Sequence, residues 1–177
     1  MKRWIVVIGG VHAALLLVAA AFFAARLWHL ADESEGLAEA AAVEAFPLAD
    51  CATLLRPDTP NHWMVASGDC ESIADAAAPI FNVSADRQAR AWRTLLEQLE
   101  RVRVMPPCEQ PFRIVAIAST RTFGFSDVVF IRTIRLGAGQ STVAIYSRSL
   151  VGKSDLGTNR KRVAAWLKRI ERQIAGN

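Results

Sequence analysis

The chain predicts an α+β fold: an N-terminal transmembrane helix, then a small antiparallel sheet with helices packed on one face. Three observations predict it. Residues 4–25 form an apolar run with no formally charged side chain. Three strand-like runs joined by short connectors follow residue 112. An amphipathic helical pattern flanks this strand block on each side.

The apolar run reads WIVVIGGVHAALLLVAAAFFAA. As a helix rising about 1.5 Å per residue it spans roughly 33 Å, enough for a hydrocarbon core of about 30 Å. Trp4 and Trp28 bracket it where amphipathic rings favour the interface. Lys2 and Arg3 precede the span, whereas only Arg26 follows closely before Asp32, Glu33, Glu35, Glu39 and Glu44. The positive-inside bias therefore predicts a single-pass protein of the inner (plasma) membrane. Its N-terminus is cytoplasmic and its C-terminal domain periplasmic or otherwise extracytoplasmic. A cleaved signal peptide is the rival, since Ala19, Ala20 and Ala21 offer small residues at suitable positions. The run is long for a signal peptide, which favours an uncleaved anchor. His12 has no carboxylate companion in the span and reads as a tolerated neutral imidazole.

Three segments follow from composition: residues 1–30 as cytoplasmic tip and anchor, 31–55 as an Ala/Glu-rich stalk or linker, and 56–177 as the exported α+β domain. ADESEGLAEAAAVEA is helix-prone, but its apolar face is thin. Pro57 and Pro60 in LRPDTPNHW break any helix and open the domain. Cys70 to Ala78 predicts one or two helical turns ended by Pro79.

Ser84 is a good N-cap for the helix SADRQARAWRTLLEQLERVRV. Ala89, Trp92, Leu95, Leu96, Leu99 and Val102 recur there at helical spacing. The strand-like runs are RIVAIAST, DVVFIRTIRL and STVAIYSRS, rich in β-branched and aromatic residues. RTFGFS and GAGQ join them, and connectors this short predict antiparallel neighbours. In the second run both alternating sets are largely apolar, so its inward face is ambiguous. Thr158 to Ala175 closes the domain as a helix with Val163, Trp166, Leu167, Ile170 and Ile174 in one stripe, capped by Thr158 or Asn159.

Cys51, Cys70 and Cys108 form no CxxC pair and no metal-ligand spacing with His29 or His62, so no metal site is assigned. An exported compartment permits one disulfide, and Cys70–Cys108 is the preferred pair because both flank the same predicted helix. Charge is uneven. Residues 32–50 carry acids and no Lys or Arg, whereas beyond Gln110 twelve Lys and Arg face only Asp127, Asp155 and Glu171. This excess suits an acidic partner, such as phosphate, anionic lipid or an acidic envelope protein; an Arg-rich solvated face is the plainer alternative. The topology argues against nucleic acid.

The stretch richest in chemistry is SRSLVGKSDLGTNRKRVAAW, which runs from a strand end through a tight loop into the last helix. Gly152 and Gly157 suit backbone angles that other residues resist. Asp155 can accept loop amides, and Asn159 and Arg162, three apart on the helix, can reach back to Asp155 or across to Asp127. SRSLVGKS is not a phosphate-binding P-loop, because Ser147 stands where the first glycine belongs and the sheet is antiparallel.

PDTPN, FGFSDVVF and SRSLVGKSDLGTNRKR together resemble the bacterial and plant family catalogued as domain of unknown function 1499. The matching positions are Pro60-Asn61, then Gly124, Phe125 and Asp127, then Ser149, Gly152, Ser154, Asp155, Gly157, Asn159, Arg160 and Arg162. Leu150 replaces an arginine of that signature, and Arg148 lies two residues earlier. His62 stands where members often carry Cys, and Val128 where they often carry a second acid, so paired carboxylates are not implied there. The resemblance implies no established activity.

The reading is a membrane-anchored binding or assembly module of the cell envelope, with no cofactor and no assigned catalytic set. Arg148, Lys153, Arg160 and Arg162 would form an anion-binding surface at the N-terminus of the last helix, beside Asp127, Asp155 and Asn159. The alternative is an envelope hydrolase using Asp127 or Asp155 as base, with His62 or an arginine as partner. A purely architectural role for Asp155, Asn159 and Arg162, locking the strand-to-helix loop, stands beside both.

Overall fold

The protein is described by a computed structural model covering residues 2–43, 56, 58–106 and 112–176. The first helix, α1, runs unbroken over Lys2–Val43. Its stretch Leu15–Ala41 is long and apolar enough to cross a membrane, as membrane anchors and signal sequences both are. Leu16, Leu17 and Phe22 stand 72–77% exposed there.

Six strands form one sheet: β1 (His62–Ala66), β2 (Ala76–Ala77), β3 (Val102–Val104), β4 (Arg113–Ser119), β5 (Ser126–Arg135) and β6 (Ser141–Ser149). Their order is β2-β1-β6-β5-β4-β3, and every neighbouring pair is antiparallel except β1 with β2. Two further helices are α2 (Ala85–Glu97) and α3 (Thr158–Ala175). The α+β expectation and its three main strands therefore hold.

Side chains alternate across a strand, so the sheet sorts its residues by parity. Ile114 and Ala116 of β4, Val129 and Ile131 of β5, and Val143 and Ile145 of β6 share one face with Trp92 and Leu96 of α2 and Val163, Trp166 and Ile170 of α3. Fully burying side chains of this size stabilises by about 1.5–3 kcal/mol each. Val128, Phe130, Ala144, Tyr146 and Met64 build a second cluster on the other face. The ambiguity of β5 has a simple cause: both of its faces are covered.

Part of that second cover is the Ala/Glu-rich segment expected as a stalk or linker. It continues α1, and Ser34 and Ala38 are fully buried while Ala41 packs on the second cluster. The Ser34 hydroxyl donates to the Ala31 carbonyl at 2.6 Å and accepts the Ser126 amide at 2.9 Å, fastening the helix to the start of β5. Small residues permit this close approach, which is why the face looked thin in sequence.

Other local differences have local reasons. Ser84 does cap α2, accepting from the Arg87 amide at 3.3 Å, but the helix stops at Glu97. Arg101, at φ 73°, turns the chain, and Val102–Val104 joins β4 as an edge strand instead of extending the helix. Residues Gly68–Ile73 form a 3-10 turn, but Ala76–Ala77 pairs as β2. Cys70 is buried and disulfide-bonded. Cys51 and Cys108 lie outside the described residues, and so does the expected Cys70–Cys108 pairing.

Candidate functional site

The odd-numbered residues of β5 and β6 carry the helix-facing core until, at one end of the sheet, they turn polar. Asp127 sits opposite Ser149 there, and Ser147 opposite Val129. The first turns of α3 lie over this end, and the apolar stripe gives way to Asn159 and Arg162. Arg162 Nη2 pairs with Asp127 Oδ2 at 2.5 Å, with side-chain exposures of only 9% and 1%. Its Nη1 donates to Asn159 Oδ1 at 2.7 Å and Ser147 Oγ at 3.1 Å. Burying a charge demands such partners.

Asn159 is the hub. Its Nδ2 donates to the Asn61 carbonyl at 3.0 Å and Ser149 Oγ at 3.1 Å, while Oδ1 also accepts from Ser147 Oγ at 2.5 Å. Asn61 Nδ2 donates in turn to the carbonyls of Gly152 and Ser149, at 2.8 and 3.2 Å. The network thus ties the entry to β1, the end of β6, the following loop and α3. Asn61 was legible only through the Pro-Asn signature.

Asp155 supplies the cap of α3. Its Oδ1 accepts the Gly157 amide at 2.9 Å and its Oδ2 the Asn159 amide at 2.7 Å. The helix begins after Gly157 at φ 74°, not with the hydroxyl of Thr158, because the capping oxygen comes from the loop. The position an external anion would take at this helix end is held by the chain's own carboxylate.

The four cations expected to converge there are separated. Arg162 is buried on Asp127. Arg148 belongs to the other face of β6, opposite His62 and beside Tyr146. Arg160 lies over the Trp63 ring, 4.9 Å from its centroid, a cation–π contact. Lys153 is exposed in the loop. The two carboxylates of the hydrolase reading each serve the fold: Asp155 has both oxygens on amides, and Asp127 gives one to Arg162.

Several concavities lined by described residues adjoin this end of the sheet, and two of them hold the remaining candidates. One, of about 350 Å³, lies among Arg56, His62, Trp63, Asp75, Asp155 and Arg160. Arg56 joins Asp75 at 2.7 Å and donates through Nε to His62 Nε2 at 3.0 Å. Burial, and then the Arg56 guanidinium, push the His62 pKa below its usual value, and burial pushes the Tyr146 phenol up. The second, of about 370 Å³, is an apolar groove between Leu30 and Ser34 of α1, Phe123 and Phe125 of the β4–β5 turn, and Val151 and Leu156 of the glycine-bearing loop, with Asp127 in its wall. Sequence reasoning did not find the groove, because its walls come from three segments far apart in the chain. Among the described residues no group of three or more His, Cys, Asp or Glu side chains is arranged to hold a metal ion.

The fold and site define a small α+β domain carried on an apolar N-terminal helix and clamped at one sheet end by an Asp-Asn-Arg network. The family model described as protein of unknown function (DUF1499) matches residues 54–170, and the chain belongs to that family. No curated protein and no solved structure matches the chain.

Proposed function

We propose that the protein is a single-pass envelope protein whose α+β domain rests on the outer membrane–water interface and engages negatively charged head groups. The observation that carries this reading is the side chain inventory beside α1. The β4–β5 turn, with Phe123 half-exposed, faces α1 across a hollow lined by Leu27, Trp28 and Ala31. Trp28 lies about one turn beyond the apolar run, where a bilayer surface falls. Leu156, 85% exposed, projects from the neighbouring loop.

Basic residues accompany these apolar tips. Arg121, Lys153, Arg160 and Lys161 are all exposed on the same loops and the first turn of α3. Each Lys or Arg near an anionic surface contributes about 1 kcal/mol. The anion-binding surface is thus a rim of separate cations, not a pocket of free amides at the α3 terminus. The disulfide at Cys70 supports the extracytoplasmic placement, because disulfides persist in oxidising compartments.

Amide hydrogen exchange of the full-length protein in nanodiscs tests the reading. Residues 121–125 and 153–161 gain protection when part of a phosphatidylcholine bilayer is replaced by phosphatidylglycerol, and Arg160→Glu with Lys161→Glu removes that gain. Equal exchange in both bilayers overturns it, as does a C-terminal reporter found in the cytoplasm.

A further inference from the structure

Two residues that line the apolar groove, Thr120 and Asp127, each carry a buried polar atom that finds no partner among the described residues. Asp127 Oδ2 is taken by Arg162, but Asp127 Oδ1 is buried with no hydrogen-bond partner among the described residues. Thr120 Oγ1, in the same groove wall, is buried and unpartnered as well. An unsatisfied buried polar group costs about 1–3 kcal/mol, more when charged, so an occupant that supplies the bond relieves that cost.

The wall chemistry narrows what that is. Among the described residues, Asp127 and Asp155 are the ionisable ones that line it, and no Lys or Arg does. A carboxylate oxygen only accepts, so the occupant must donate, and a cationic donor makes the strongest bond. The rest of the wall is Leu30, Phe123, Phe125, Val151 and Leu156, which calls for hydrocarbon alongside the donor. Arg121 and Lys153, exposed in the two loops that form the wall, add positive charge at the rim.

A molecule with an ammonium donor, an adjacent negative group and an apolar body matches all three features. We infer that the groove binds an amine-headed phospholipid from the bilayer that α1 enters, with the ammonium directed to Asp127 Oδ1 and Thr120 Oγ1, the phosphate toward Arg121 and Lys153, and the acyl region against Phe123 and Leu156. This rests on the membrane-apposed placement proposed above, and names the lipid that the placement brings within reach.

The test is a titration of the full-length protein, in neutral detergent, with short-chain phosphatidylethanolamine and its mono-, di- and trimethylated counterparts, followed by amide chemical shifts at Thr120, Ser126 and Leu156. Affinity falls as N–H groups are removed, by about tenfold overall between the primary amine and the trimethylated head. Thr120→Val, which leaves the Arg162 pair intact, weakens the primary amine several-fold without lowering the melting temperature of the lipid-free protein. Asp127→Asn, if folded, abolishes the discrimination. Equal affinity across the methylation series overturns the inference, as does tighter binding of phosphatidylglycerol, or an undiminished response in Thr120→Val. Because this titration needs no bilayer, its failure is distinguishable from failure of the nanodisc experiment.

Discussion

Arg162 of α3 and Asp127 of β5 are 35 residues apart in sequence and meet at 2.5 Å with almost no solvent access. One pair thereby fixes where the last helix crosses the sheet. Asn159 and Ser147 hold the other guanidinium nitrogen, so the arginine has little freedom to leave.

Removing either partner strands a buried charge. Asp127→Leu or Arg162→Met each lowers unfolding free energy by about 3–5 kcal/mol, whereas the double variant loses much less than their sum. Denaturant unfolding of the four proteins measures the coupling; additive losses would show that the pair is incidental.

Asp155 satisfies two amides at the start of α3. Asp155→Ala costs about 1–2 kcal/mol and lowers the melting temperature, while Asp155→Asn, which keeps one acceptor, costs less. Calorimetry of both distinguishes a cap from a residue of no structural weight, for which the two substitutions would be equivalent to wild type.

His62 gives the domain a pH dependence of defined sign. Its folded pKa is lowered by burial first and Arg56 second, so the unfolded chain binds the proton more readily. The stability contributed by the neutral ring is complete above the unfolded value of about 6.5 and is lost as pH falls from there through the folded value. Melting temperatures between about pH 8 and pH 5 should fall more steeply for wild type than for His62→Gln. Parallel curves would contradict this.

The Cys70 disulfide should be silent to alkylation until reduced. Reduction is expected to cost about 2–4 kcal/mol, read as a drop in melting temperature with dithiothreitol. Labelling of Cys70 in the unreduced native protein would refute the bond.

How much of this was legible depended on whether the cause was local. Periodicity placed α2 and α3, β-branched runs placed β4 to β6, and the three-residue spacing of Asn159 and Arg162 put them on one helical face. Nothing local tells Arg162 to choose Asp127 over Asp155; the antiparallel register decides it. Arg148 was misplaced for a related reason, since its face follows from strand parity once Tyr146 is known to point away from α3. His62–Ala66 and Val102–Val104 were too short to announce themselves as strands. The seating of α1 depends on Ser34 and Ala38, whose small size is invisible to a search for large apolar stripes.

Among the described residues, α1 proceeds without a break from its apolar length onto the sheet, where the Ser34 hydroxyl bonds the start of β5 and Glu39 meets Arg103 at the surface. Such a mast sets both the altitude and the heading of everything it carries. Within the membrane reading, this protein does not sweep the surrounding space on a tether; whatever it meets must arrive laterally, in the plane where its loops already stand.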